Sequence, residues 1–252
     1  MLWVLAGTGD ACEIISRLVQ EGFAVVASAT TRHGAELAKR AGACEVVVGQ
    51  LGYEEMLRLI GERGVDAVID ATHPFAAEAS ENAMRAAEQA GVGYIRYERE
   101  GLSLAGDGVH PVDSFEEAAR LASELGRVVF YTAGIKNLPV FLRHCTSRVV
   151  VRVLPTREAI ARVEELGVAP QNIIAMYPRF NFELEAALLR AYRAEVLVAK
   201  ESGREGGTAE KVRAAMELGI PVVLLRRPEL SYPRVCRSAE AVVQEVKKLS
   251  LL

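Results

Sequence analysis

Lysine is scarce in this chain, six residues against twenty-four arginines, yet Lys136, Lys200 and Lys211 fall in or beside two glycine-bearing turns that follow apolar runs. One turn reads Thr132-Ala133-Gly134-Ile135-Lys136-Asn137-Leu138; the other is the stretch Lys200-Glu201-Ser202-Gly203-Arg204-Glu205-Gly206-Gly207. A bias this strong points to a need for a compact ammonium rather than a planar guanidinium at these places. As a point charge, an ammonium suits a phosphate or a carboxylate. Gly203, Gly206 and Gly207 clear room for a ligand to approach the backbone, so Lys200 and its turn are expected to form an anion cradle. Lys211 is expected to be a surface residue of the helix that follows.

The N-terminal stretch VLAGTGDACEIISRL offers a second kind of anion site. Gly7 and Gly9 stand between an apolar strand and a helix start, where bare backbone N–H groups at the positive helix end can receive a pyrophosphate. Cys12 holds the place of the third glycine of the usual dinucleotide fingerprint, a small residue that still lets helix and strand pack. The second strand ends in Ser28-Ala29-Thr30-Thr31-Arg32, with no acidic residue to hold free ribose hydroxyls. Hydroxyls and an arginine suit a 2′-phosphate, so NADPH is favoured over NADH. The fourth strand ends in Asp70-Ala71-Thr72-His73-Pro74-Phe75, which is expected to turn its polar groups to the ligand side and to start a helix at Pro74. His73 is a candidate proton donor or hydrogen-bonding post for the cofactor, against the plain alternative of a histidine satisfied by local backbone.

These residues need elements to carry them, and the chain alternates short β-rich runs with segments of helical period. Runs at 2–6, 23–29, 44–48, 66–70 and 93–97 form one series, separated by stretches such as ACEIISRLVQ and AEASENAMRAAEQA. Residues 99–113 break the rhythm and read as a linker. The alternation then resumes at 127–132, 147–154, 172–176, 195–200 and 221–227, with helices expected near 114–125, 157–166, 182–193 and 207–218. Alternating βα units predict parallel sheets covered on both faces. The expected fold class is α/β, with a Rossmann-like nucleotide-binding lobe over 1–98 and a second Rossmann-like lobe over 114–252. Ligands are expected beyond the carboxyl ends of the strands, in a cleft between the lobes.

Bulk properties narrow the function classes. With 252 residues and a net charge of −3, the chain has apolar content enough for large cores and no long-range pull toward nucleic acid or an anionic membrane. The apolar runs are too short to span a bilayer and the N-terminus reads directly into a strand, so a cytoplasmic location is expected. Cys12, Cys44, Cys145 and Cys236 lie far apart without CxxC spacing, which signals neither a metal site nor a disulfide framework.

Taken together, GTGDACE, DATHPFA at 70–76, TAGIKNL at 132–138, KESGREGG at 200–207 and EKVRAAMELGIPVVLLRRP at 210–228 resemble the precorrin-6A reductase family of cobalamin synthesis, in order and spacing, across almost the whole chain. The resemblance implies a pyridine nucleotide between two Rossmann-like lobes and hydride transfer to one ring double bond of a hydrogenated tetrapyrrole. Where relatives carry M-x-G-P-F-S-x-E-x-N, this chain has Met176-Tyr177-Pro178-Arg179-Phe180-Asn181-Phe182-Glu183-Leu184-Glu185, keeping Phe180 and Glu183 but not the Gly-Pro pair, the Ser or the Asn. The candidate cofactor residues are Gly7, Thr8, Gly9, Glu13, Ser28, Thr30, Thr31, Arg32, Thr72, His73, Pro74, Ser202, Gly203, Gly206 and Gly207. Lys136, Arg179, Lys200 and Arg226 are candidate clamps for a polycarboxylate ring, and His73, Lys200 or a water is the candidate proton donor. Lys200 could instead serve a cofactor phosphate or amide. A dinucleotide-sensing regulatory module and a non-catalytic tetrapyrrole carrier are the readings from other classes.

Overall fold

The computed structural model describes residues 1–98, 106–177, 180–202 and 207–249. The chain divides into two units: one comprises Met1–Glu100 with Pro228–Leu252, the other Gly101–Arg227.

In the first unit, β1 (Leu2–Ala6), α1 (Gly9–Gln20), β2 (Val25–Ala29), α2 (Arg32–Arg40), β3 (Glu45–Val48), α3 (Tyr53–Arg63), β4 (Ala67–Ala71), α4 (Ala77–Ala90) and β5 (Gly93–Tyr97) follow one another. Its sheet has the order β3-β2-β1-β4-β5 and takes a sixth strand, β12 (Val235–Cys236), from the far end of the chain. Every pairing is parallel. Helix α1 shows why the sequence folds this way: Ala11, Ile14, Ile15 and Leu18 recur at helical spacing and are fully buried. They pack with Val242, Val243 and Val246 of α10 (Ala239–Leu249).

The second unit repeats the winding. Its elements are β6 (Val109–Val112), α5 (Phe115–Leu125), β7 (Val128–Tyr131), α6 (Leu138–His144), β8 (Arg148–Val153), α7 (Arg157–Glu165), β9 (Ile173–Ala175), α8 (Phe182–Ala191), β10 (Val196–Lys200), α9 (Thr208–Glu217) and β11 (Val222–Leu225). The all-parallel order is β9-β8-β7-β10-β11-β6. Side chains capping the starts of α5, α7 and α8 (Ser114, Thr156 and Asn181) take up backbone N–H groups that would otherwise be left without partners.

Two boundaries differ from the sequence reading. Residues 228–249 belong with the first unit, because β12 pairs with β5 and the apolar stripe of α10 finds its partner on α1. The linker assigned to 99–113 contains β6, an edge strand beside β11 where Pro111 is tolerated for want of a needed N–H donor. Each sheet thus receives its sixth strand by a long connection: β6 leaves β5 for the second sheet, and β12 returns.

Candidate functional site

Strand order reverses direction between β1 and β4 in one sheet and between β7 and β10 in the other, and turns beyond such points are where doubly wound sheets receive ligands. Gly7, Thr8, Gly9, Thr72 and His73 stand at the first of these places, and Lys136, Lys200 and Ser202 at the second.

At the first, the β1–α1 turn closes against the turn after β4. A Cβ on Gly7 would lie 3.1 Å from both the His73 nitrogen and the Thr72 Cα, so any larger residue would push the two backbones apart by a few tenths of an ångström. The Thr8 hydroxyl donates across the same gap to the Ala71 carbonyl at 3.3 Å. Gly7 and Gly9 are exposed at the mouth of α1. Gly7→Ala is expected to force the two turns apart at a stability loss of roughly 1–3 kcal/mol, as overpacking typically gives, and to weaken any dinucleotide received at this turn about tenfold. Calorimetric titration alongside thermal unfolding checks it.

The turn after β4 is framed by a buried ionic network. Arg96 and Asp70, both with fully buried side chains, pair at 2.9 Å. Asp70 also accepts from the Thr72 hydroxyl at 2.6 Å, the Thr72 N–H at 2.9 Å and the Tyr94 hydroxyl at 2.7 Å. Arg96 reaches the Thr72 hydroxyl directly at 3.0 Å. Burial alone would raise the Asp70 carboxyl, but the Arg96 charge and the hydrogen bonds outweigh it and hold it below the usual carboxylate range. Tyr232, on the segment returning to β12, lies over the guanidinium at 5.2 Å. Thr72 is therefore fixed by charge. Asp70, expected on the ligand side, instead faces inward. Pro74 is buried in a turn and α4 begins at Ala77, not at the proline. His73 accepts the Phe75 N–H at its Nδ1, 3.2 Å away, which leaves Nε2 to carry the proton of the neutral ring.

Beside β2, Thr30, Thr31 and Arg32 are exposed, with Thr31 capping α2 by accepting the Gly34 N–H at 3.1 Å. Ser28 is turned the other way: it is 7% exposed and its hydroxyl accepts from the Trp3 indole at 3.1 Å. It is a core residue, and its side chain is removed from the cofactor set on that ground. Glu13 is exposed on α1 and pairs with Arg17, one turn along the same helix.

At the second reversal point, Lys200 ends β10 with its ammonium 5.3 Å from the Phe115 ring centre. Burial and the neighbouring Lys136 charge push its pKa down to about 8. Lys136 itself is exposed in the turn after β7. Ser202 is buried and its hydroxyl lies 2.8 Å from that of Thr208, which also donates to the Lys200 carbonyl at 2.9 Å; these bonds close the turn into α9. Gly207, with φ of 64°, takes the left-handed conformation that starts this helix. Arg226 is exposed and paired with Asp113 at 3.0 Å, a surface bond that a ligand can exchange at little cost. Gly203, Gly206 and Arg179 lie outside the described residues.

Sequence reasoning missed a buried group on the opposite face of the second sheet. Arg152 pairs with both oxygens of Glu185, at 2.7 and 3.0 Å, beneath the Phe180 ring 4.0 Å away. Lys211, expected at the surface, is 6% exposed beside them. The available signal was an arginine inside an apolar strand, in SRVVVRVL here and in GYIRY for Arg96. Such a charge needs a buried partner.

Two doubly wound parallel sheets with glycine turns at their reversal points define a Rossmann-like α/β protein. Residues 1–247 match the family model described as Precorrin-6x reductase CbiJ/CobK. The chain is 48% identical over 233 residues to the cobalt-precorrin-6A reductase of Methanothermobacter thermautotrophicus, covering 90% of this chain and 76% of that one. It is 32% identical to the precorrin-6A reductase of Rhodobacter capsulatus, covering 96% and 94%. A solved CobK precorrin-6A reductase superposes with a TM-score of 0.80 at 27% identity, over 98% and 96% of the two chains. The chain belongs to the precorrin-6x reductase CbiJ/CobK family. It is an oxidoreductase of cobalamin biosynthesis, a role that implies a nicotinamide cofactor. No helix among the described residues is long and apolar enough to cross a membrane.

Proposed function

We propose that this protein reduces one ring double bond of cobalt-precorrin-6A, and of its metal-free counterpart, with NADPH held by the first unit. The observation that carries the reading is the family match over residues 1–247. Cobalt is favoured because the relatives at 48%, 38% and 36% identity bear the cobalt name, whereas the metal-free name belongs to relatives at 32%. Any cobalt travels in the ring as substrate, so no protein ligand is required for it.

The residues present fit a phosphorylated dinucleotide. The backbone of Gly7, Thr8 and Gly9 would receive the pyrophosphate at the start of α1. Thr30, Thr31 and Arg32 would take the 2′-phosphate, no carboxylate standing at the end of β2 to repel it. Thr72, fixed by the Arg96–Asp70 network, and the adjacent His73 would position the nicotinamide end. When bound, the cofactor supplies the hydride.

The second unit supplies charge and a proton. Lys136 and Lys200 repel one another, and a substrate carboxylate between them relieves that repulsion. The Lys200 ammonium, tuned close to neutrality, gives its proton to the carbon beside the one that receives hydride. The amine regains a proton from water, so each turnover consumes one hydride and one proton.

Anaerobic incubation with cobalt-precorrin-6A and precorrin-6A in parallel, followed by loss of reduced-nicotinamide absorbance, tests the reading. Stoichiometric oxidation is expected; nucleotide binding with no turnover on either ring would favour a sensor, and ring binding without nucleotide binding a carrier. Arg32→Ala is expected to lower kcat/KM for NADPH about ten- to a hundredfold, the scale of a charge-assisted hydrogen bond, and to leave NADH unchanged. Equal losses with both nucleotides would remove Arg32 from 2′-phosphate recognition.

A further inference from the structure

The buried group formed by Arg152, Glu185 and Lys211 carries more positive than negative charge. Arg152 is the next-to-last residue of β8, Glu185 lies in the first turn of α8 and Lys211 in the first turn of α9. All three therefore stand near the carboxyl end of the sheet, the edge where doubly wound folds bind ligands. They are 7%, 1% and 6% exposed. Both Glu185 oxygens are committed to Arg152, and among the described residues no acceptor pairs with the Lys211 ammonium. A buried cation without a paired anion is strongly unfavourable. A fold stabilised for its own sake would place methionine or leucine here. Aromatic rings surround the charges, Phe180 at 4.0 Å and Phe130 at 5.9 Å from the Arg152 guanidinium.

This cluster is distinct from the Lys136–Lys200 pair. Alternation along β10 puts Leu197 and Ala199 against α8 and α9, and Lys200 on the other face beside Phe115 of α5.

We propose that Lys211, backed by Arg152, is a second anion subsite that takes a carboxylate side arm of the macrocyclic substrate. Two cations set among aromatic rings match an acidic arm on a large apolar ring better than they match a solvated phosphate. Burial, reinforced by the Arg152 charge and opposed by Glu185, pushes the Lys211 amine down to about 8. An arriving carboxylate supplies the missing counter-charge and further favours the ammonium. The proposal rests on the tetrapyrrole reading of the substrate.

The test is Lys211→Met, which keeps the length and apolar stem and removes the charge. Binding of a stable corrin polycarboxylate, of its permethyl ester and of NADPH is titrated against wild type, with thermal unfolding in parallel. Polycarboxylate affinity is expected to fall about ten- to a hundredfold, in line with loss of one charge-assisted contact. The ester and NADPH are expected to bind as in wild type, and the midpoint of unfolding to rise. Gain of stability with loss of carboxylate affinity is a combination that a merely structural lysine does not give. Unchanged polycarboxylate affinity overturns the proposal, as does a loss confined to NADPH, which would assign the cluster to phosphate. If Lys211→Met does not fold, Lys211→Gln is measured in its place, and failure of both to fold marks the residue as structural and overturns the subsite. Wild-type protein that neither binds nor reduces the macrocycle refutes the substrate reading itself, a result visible before any variant is made.

Discussion

Asp70→Ala is expected to destabilise the first unit by about 3–5 kcal/mol, the range found when one partner of a buried ion pair is removed. The magnitude follows from what is left behind. Arg96 is 0% exposed, and among the described residues its Nε and Nη2 already lack acceptors, so losing Asp70 strands a whole guanidinium in the core. Tyr94, whose hydroxyl donates to Asp70 at 2.7 Å, loses its acceptor as well. At a few degrees per kcal/mol for a chain of this size, the unfolding midpoint should drop by roughly 10 °C. Asp70→Asn keeps the shape and part of the hydrogen bonding, and should lose less. The acid limb gives an independent sign. Because the folded carboxyl titrates below its unfolded value, its contribution is fully present above about pH 4 and is lost as pH falls through the folded value. Wild type should therefore weaken more than Asp70→Asn on acidification below pH 4. Parallel acid limbs for the two proteins would show that the pair contributes little net stability.

The same network explains what the sequence could and could not reveal. Gly7, Thr72 and Lys200 stand out because glycine after a strand, or a polar residue where an apolar run stops, is a local signal of a ligand-side turn. The strand β5 is legible end to end, since GYIRY is apolar and β-rich between a glycine and a charged stretch. Its penultimate residue, Arg96, gives no sign of its partner, which lies on the neighbouring strand. Parallel pairing joins residues far apart in sequence, so Asp70 and Arg96 become visible as partners only once β4 and β5 are in register, and Arg152 and Glu185 only once α8 is packed on the sheet. The same reason hides β12: two residues, Val235 and Cys236, carry no periodicity, and only the pairing with Arg96 and Tyr97 makes them a strand. With β12 unseen, α10 could not be assigned to its partner α1. Lys211 misled for a related cause. A lysine in a helix of mixed polarity reads as solvated, and its burial comes from Arg152 and Glu185 on other elements. Ser28 failed in the opposite sense, because alternation at the end of β2 points its hydroxyl to Trp3 rather than to the ligand edge.

Lys200→Met should lower kcat/KM for macrocycle reduction by about 10²–10⁴-fold, the usual contribution of a general acid. The proposal assigns this to Lys200 rather than to His73, whose Nδ1 accepts the Phe75 N–H at 3.2 Å and whose neutral Nε2–H is a weak acid. A lysine with its ordinary pKa would be a poor acid at neutral pH; burial and the Lys136 charge bring this one to about 8, where protonated form and proton-transfer driving force are both favourable. The pH dependence has a definite sign. The ammonium is the active form, so kcat/KM in wild type should be level below pH 8 and fall about tenfold per unit above it. In Lys200→Met the residual rate should lack that limb. A carboxylate seated between Lys136 and Lys200 favours the charged form, so the limb in kcat, which reports the bound state, should lie above the limb in kcat/KM. Lys136→Met separates the two contributions: it should raise KM about tenfold and move the kcat/KM limb upward, because the repelling charge is gone. If Lys200→Met instead raises KM and keeps kcat with its pH limb intact, the residue holds a substrate carboxylate and the proton comes from His73 or water. Single-turnover rates in His73→Asn then decide between those two.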